Sequence, residues 1–201
     1  PDQGPDVGLY NDMRELRRYL KPHWKDRRVL NLFCYTGAFS VHAAAHGASS
    51  VASVDLSGPA LQRAKENFAA NQLSLQNMDF IQADIFKALD RFRRKQHHFD
   101  LVLIDPPSFS HSGSSTWSAQ KDYPRLVAAA VRVLCDGGWL VAASNQGELS
   151  PKAFRGLVSD GFRKASKSAQ ELWWGSTPPD FPAAVNFPEA HYLKIGLWRM
   201  S

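Results

Sequence analysis

The sequence predicts an α/β protein built on a doubly wound, mostly parallel seven-stranded sheet with an antiparallel C-terminal strand. Three observations predict it. Short apolar or β-branched runs alternate with amphipathic helical segments through five successive units, the pattern of a parallel sheet with helical crossovers. The run 99–104 (FDLVLI) is almost wholly apolar, as a central strand covered on both faces requires. The last two strand-like runs are joined by the Pro-rich stretch 177–188 with no helix between them, and such a connection returns the chain antiparallel.

Each element follows from local pattern. Residues 1–10 carry two Pro and two Gly and form an extended lead-in. Met13, Leu16 and Leu20 recur at helical spacing and place a helix over 12–20, ended before Pro22. The first strand is 28–34 (RVLNLFC), followed by a helix over 38–46 that Gly47 stops, and then by the strand 50–55 (SVASVD). Ser57 caps a helix that runs to about Asn71 with Leu61, Ala64 and Phe68 on one face. A strand at 78–83, a helix at 84–94 and the strand 99–104 come next. A long helix covers 121–135, with Leu126, Ala129, Ala130, Val133 and Leu134 facing inward and Gly137-Gly138 ending it. The strand 139–144, a helix over 151–160 and strands at 167–174 and 192–198 complete the chain.

Composition narrows the function classes. At 201 residues the chain is long enough for one domain with a real core. Hydrophobic residues make up 44% and charged residues 21%, and no apolar run reaches the roughly 18–20 residues of a membrane span. The polar start Pro1-Asp2-Gln3-Gly4 has no signal-peptide character, and the missing initiator Met fits a chain that is processed or cut from a longer protein. Cys34 and Cys135 have no metal-ligand spacing, so no metal site is expected; two reduced thiols point to the cytoplasm. The net charge of +5 gathers in two clusters, 14–28 and 91–95. Those clusters read equally well as attraction to a polyanion or as solvated helix faces.

Three strand ends carry chemistry. In an open α/β sheet, ligands bind beyond the carboxyl ends of the strands. The turn after the first strand, Asn31 to Ser40, holds one glycine, Gly37, rather than the three of a pyrophosphate cradle, with Tyr35 and Phe39 adding bulk. Asp55 ends the second strand about 20 residues on, where a carboxylate accepts from ribose hydroxyls; its structural alternative is a turn acid. Asp84 ends the third, where a carboxylate accepts from an exocyclic amine while Ile85 or Phe86 packs on the ring; capping the next helix is the alternative, and both can hold. Together they describe an adenosine site without a diphosphate, and S-adenosylmethionine is the common cofactor of that description. The fourth strand ends in Asp105-Pro106-Pro107-Ser108-Phe109, a turn stiffened by two prolines that presents a carboxylate and an aromatic ring toward a flat base or amine.

The segments NLFCYTGAFSVHAAAHGASSVASVDLS, LVLIDPPSFS and FPEAHYLKIGL resemble the class I, Rossmann-like methyltransferase domain of the bacterial large-subunit rRNA methyltransferases, the cytosine-C5 and guanine-N7 group. Gly8, Asp12 and Arg14 resemble that family's G-x-x-x-D-x-R entrance to the cofactor pocket, and the likeness runs from about Gly8 to Leu197. It implies S-adenosylmethionine as cofactor and RNA as partner. The implied pocket comprises Asp12, Arg14, Asn31, Tyr35, Thr36, Gly37, Phe39, Asp55, Leu56, Asp84, Ile85 and Asp105. Asp105, Pro106, Pro107 and Phe109 form the catalytic, substrate-facing end, and residues 1–27 pack on the pocket of a domain spanning 28–201.

Two departures limit the likeness. Pyrimidine C5 is not nucleophilic until a thiolate adds to C6, and the C5 members keep that cysteine at the end of the fifth strand. Here the stretch reads Ala142-Ala143-Ser144-Asn145-Gln146, which favours a nitrogen target over cytosine C5, with Asp105, Asn145 or a backbone carbonyl to orient it. Relatives also often carry an RNA-binding domain in front, which these residues lack. A small-molecule or protein methyltransferase and a non-catalytic cofactor-binding module are the rival readings. Trp173, Trp174 and Trp198 are expected to pack and cover the sheet edge, with base stacking as their functional alternative. The Ser/Gly-rich stretch 108–118, with His111 and Trp117, reads as a substrate lid or a plain connection. His97 and His98 fall in a surface turn, and Lys194 with Glu189 reads as an ion pair or a catalytic pair.

Overall fold

A computed structural model describes residues 8–107, 111–112, 115–116, 119–181, 186–187 and 191–201. Seven strands form one sheet: β1 Arg28–Leu32, β2 Ser50–Asp55, β3 Met78–Gln82, β4 Phe99–Ile104, β5 Leu134–Ser144, β6 Ala169–Gly175 and β7 Lys194–Met200. Their order is β3-β2-β1-β4-β5-β7-β6. The first five pair in parallel, and β7 runs antiparallel to both β5 and β6. A separate two-residue hairpin pairs His111–Ser112 with Ser115–Thr116. The helices are α1 Arg14–Leu20, α2 Ala38–Ala45, α3 Gly58–Ala70, α4 Ile85–Arg94, α5 Ala119–Val131 and α6 Pro151–Lys164.

Strand periodicity splits the core into two layers. On one face Leu30, Leu32, Val102, Ile104, Leu140 and Ala142 meet α4, α5 and α6 through side chains such as Leu89, Leu126 and Phe154. On the other, Val29, Leu101, Leu103 and Val141 meet Leu16 and Leu20 of α1, Trp24 and Phe39. Each such fully buried aliphatic side chain stabilises the fold by about 1.5–3 kcal/mol. The N-terminal helix is therefore part of the core. The three tryptophans are packed: Trp173 stacks on Tyr19 with ring centroids 5.2 Å apart, and Trp174 meets Trp198 edge to face. Among the described residues no helix is long and apolar enough to cross a membrane.

The largest differences from the sequence expectation fall at α5 and α6. The helix expected over 121–135 stops at Val131, and β5 begins at Leu134. An apolar run such as Val131 to Leu134 suits a helix or a strand, and pairing of Leu134 with Phe99 settles it as strand. Gly137, at φ +73°, then lets β5 bulge before the ladder resumes at Trp139 with Leu101, so the glycines bend a strand instead of ending a helix. The helix expected over 151–160 continues to Lys164. Gly161 does not stop it: a Cβ there would stand 2.4 Å from the Val127 side chain, so the glycine allows α6 to lie close on α5.

Chain direction reverses at the middle of the sheet. From β1 the chain winds outward through β2 to β3, then returns to place β4 on the other side of β1. Leu32 and Ile104, the last residues of these two strands, are register partners. A crevice must open beyond them, because the following connections leave in opposite directions.

Candidate active site

The crevice is a cavity of about 640 Å³, within the usual size range of small-molecule sites. One wall is the turn after β1. Phe33 and Tyr35 take left-handed backbone conformations at φ +57° and +49°, and Gly37 follows at +75°. A Cβ on Gly37 would lie 2.8 Å from that of Ala64, so both φ and space demand glycine. The carboxylate of Asp55 sustains this strained turn: Oδ2 accepts from Tyr35 N–H at 2.8 Å, and Oδ1 from Ser57 N–H at 2.9 Å. Thr36 is tied from both sides, its hydroxyl donating to the Gly8 carbonyl and its own carbonyl accepting from Asn67 Nδ2 at 2.9 Å. Below the turn, Asn31 donates to Ser40, and Ser53 donates to the same hydroxyl at 2.8 Å, a buried polar network joining β1, β2 and α2.

Asp84 caps α4, its Oδ1 accepting from Lys87 N–H at 3.0 Å, and it also lines the cavity with Ile85 and Phe86. Cap and wall coincide. Opposite lie Asp105, Pro106 and Pro107 at the end of β4, with Asn145 after β5 and Asp12 just before α1. Asp105 is packed about by protein, and burial together with the charge of Asp12 pushes its carboxyl up to about 7. Asp12 accepts from the Tyr192 hydroxyl at 2.8 Å through Oδ2. Its Oδ1 is buried without a partner, alone in this among the side-chain atoms of the described residues. Burial and the bond to Asp12 push the Tyr192 phenol up to about 12.

Such a cleft suits an adenosine-bearing ligand without phosphates, and comparison with known proteins agrees. Residues 2–199 match the family model described as S-adenosylmethionine-dependent methyltransferase. The chain belongs to this family. It is 38% identical over 192 residues to ribosomal RNA large subunit methyltransferase I of Pseudoalteromonas atlantica, covering 96% of this chain and 49% of that protein. The enzyme of the same name from Photobacterium profundum is 37% identical over 191 residues, with 95% and 48% covered. The chain thus spans about half the length of the curated relatives it matches. Among solved structures, SMU.776 complexed with SAH superposes with a TM-score of 0.92 at 31% identity, covering 98% of this chain and 52% of that one. The SAM-dependent methyltransferase from Agrobacterium tumefaciens gives 0.78 at 25% identity, covering 97% and 64%.

Most of the residues singled out in the methyltransferase sequence converge on the cleft: Asp12, Asn31, Tyr35, Thr36, Phe39 and Asp55, then Leu56, Asp84, Ile85, Asp105, Pro106 and Pro107 all line it. Gly37 shapes the turn from behind. Arg14 is not brought there. It pairs with Asp180 and Glu15 and lies 6.0 Å from the Phe181 ring centroid. Phe109 and Glu189 lie outside the described residues, as do Trp117 and much of the stretch 108–118. Lys194, only 2% exposed, donates to the carbonyls of Gln146 and Tyr192, so it braces the loop after β5.

Sequence reasoning missed Arg17, Tyr10, Asp122 and Arg125, which also line the cleft. They arrive from the N-terminal segment and from α5, and no spacing relates them to the strand-end motifs. Both thiols are held protonated. Burial, reinforced by Asp55, pushes Cys34 far up, and burial with a bond to Asp100 raises Cys135.

Proposed function

We propose that this chain is the methyltransferase domain of a cytoplasmic rRNA-modifying enzyme that methylates a nitrogen of a large-subunit rRNA base. The observation that carries the reading is the division of the cleft: hydrogen-bond acceptors for an adenosine ligand at one end, and at the other a half-buried carboxyl on a proline-stiffened turn with no ionised thiol. The names of its relatives favour rRNA over a small-molecule or protein substrate.

The residues fit the cofactor. Asp55 and Asp84 keep free lone pairs after binding backbone N–H groups, and would accept from the ribose and the adenine amine. The unpartnered Oδ1 of Asp12 is a buried acceptor that awaits a donor, and an ammonium group supplies one. Gly37, Tyr35, Thr36 and Phe39 would shape the wall against the ligand. When bound, S-adenosylmethionine supplies an electrophilic methyl group on a sulfonium. Pro106 and Pro107 hold the substrate edge rigid, so alignment costs little at the moment of transfer. Asp105 and Asn145 orient the nitrogen. Where the target nitrogen carries a proton, the Asp105 carboxylate would take it up, while the bound cofactor would supply the methyl group. A carboxyl poised near neutrality can do this and return the proton to water.

The test is mass spectrometry of rRNA nucleosides from cells with and without the gene. One N-methylated nucleoside should vanish from the large-subunit RNA. Loss of 5-methylcytidine would sink the nitrogen assignment, and an unchanged nucleoside profile would sink the RNA reading.

A further inference from the structure

Two guanidinium groups line the cleft, and they are differently employed. Arg17 is engaged: it donates to the Tyr10 carbonyl at 3.1 Å, lies over the Phe39 ring, and feels the charge of Asp12. Arg125, on the exposed side of α5, lies 4.1 Å above the centroid of Phe86. Arg14, Arg28, Arg94 and Arg155 each hold a carboxylate. Arg125, among the described residues, forms no ion pair and donates no hydrogen bond, although it stands beside the cavity. The Phe86 face fixes the plane of the group and leaves its N–H fork open.

A bound cofactor gives this group nothing to do. Adenosine is uncharged, and the single carboxylate of S-adenosylmethionine is one anion for two arginines. Arg125 stands on the Asp84–Phe86 side, where the adenine would lie, and Arg17 stands beside Asp12. A planar fork held flat and unpaired suits a phosphate, which it can grip through two parallel hydrogen bonds. Asp84 and Asp122 share the wall and repel a small free anion, so a phosphate carried on a strand already held by other contacts is favoured.

We infer that Arg125, braced on Phe86, grips a backbone phosphate of the RNA strand that carries the target base. This rests on the RNA reading above and adds to it a substrate contact outside the strand-end motifs. Arg125 is exposed, so its replacement leaves the core intact.

The experiment is a salt titration of binding to an unmodified large-subunit rRNA transcript by wild-type chain, Arg125→Gln and Arg125→Lys, with SAH affinity measured in parallel. Loss of one phosphate contact should weaken Arg125→Gln several-fold to about tenfold at low salt and reduce the slope of log K against log salt by about 1. Arg125→Lys should keep the slope while recovering only part of the affinity. SAH affinity should not move in either variant. An unchanged salt slope in Arg125→Gln overturns the inference and leaves the RNA reading standing. A loss of SAH affinity with RNA binding intact also overturns it, making Arg125 a cover for the adenine. If the wild-type chain itself shows no salt-dependent affinity for the transcript, the RNA reading and this inference fall together.

Discussion

The two ends of the cleft use the same side chain in opposite ways. At the β1–β2–β3 end, Asp55 and Asp84 spend part of their accepting capacity on backbone N–H groups, so each carboxylate builds the wall it belongs to. At the β4 end, Asp12 keeps a buried oxygen without a partner, and Asp105, half-buried at the cavity wall, has its carboxyl pushed up to about 7 by the loss of solvent and by that charge. The first arrangement stabilises the fold and leaves acceptor lone pairs facing the cavity. The second costs stability and leaves groups ready for a proton or a ligand, a recurrent property of functional sites. Substitutions at the two ends should therefore move activity and stability in different directions.

The largest effect is expected at Asp105. Asp105→Asn removes the proposed proton acceptor while keeping the shape, and transfer should slow on the order of 10²-fold or more with SAH affinity changed only slightly. Stability should move the other way. The folded carboxyl sits near 7 against 3.8 for the ordinary group, so the folded state binds the proton more tightly than the unfolded chain. Its ionisation therefore weakens the fold as pH rises from about 4 through 7. Asp105→Asn should stabilise the protein by on the order of 1–3 kcal/mol at pH 8 and by less at pH 5, read from denaturant midpoints. Wild-type transfer should rise with pH through about 7, and Asp12→Asn should shift that rise to lower pH by removing the neighbouring charge. A variant that loses activity and stability together at pH 8 would mean that Asp105 is structural.

At Asp55, stability and binding should fall together. Asp55→Ala strands the N–H groups of Tyr35 and Ser57 and releases the left-handed turn, so it should destabilise the fold by about 2 kcal/mol. SAH affinity should fall at least about tenfold, and Asp55→Asn should recover part of both, since one oxygen remains. Calorimetric titration and thermal unfolding separate these. Unchanged SAH affinity in Asp55→Ala would remove the carboxylate from the cofactor site and leave it a turn acid.

The contrast explains what was legible in the sequence. Strand order along the chain, the lone Gly37 and the acids at the strand ends are local features, and parallel strands bring such ends together. The core layers were legible for the same reason, because a period of two assigns Leu101 and Leu103 to one face and Val102 and Ile104 to the other. Partners set by tertiary packing were not. Arg14 and Arg17 both stand on α1, and only the docking of that helix turns Arg17 to the cleft and Arg14 to Asp180. The extent of α5 depended on whether Leu134 would find Phe99 across the ladder, a pairing invisible within the window itself. The helix expected over 151–160 runs on through Gly161, whose role is set on another helix, where Val127 needs the space.

The smallest effects are expected at the cysteines, and they sharpen the chemical half of the comparison. Cys34 lines the cleft, so position alone would make it a candidate nucleophile. Its environment argues the other way: burial and the nearby Asp55 charge both disfavour the thiolate, and no cation stands among the causes of its shift. Cys135 lies at the start of β5, bonded to Asp100, at the opposite end of the strand from Asn145. Transfer to nitrogen needs neither thiol. Cys34→Ala should cost about 1 kcal/mol of stability for a small buried group, and Cys135→Ser less. The double variant should retain methyl transfer within about twofold of wild type once measured well below its melting temperature. A fall of 10²-fold or more in either single variant with SAH binding preserved would show a thiolate at work. The carboxylate end of the cleft would then have to be read as support for covalent chemistry on carbon.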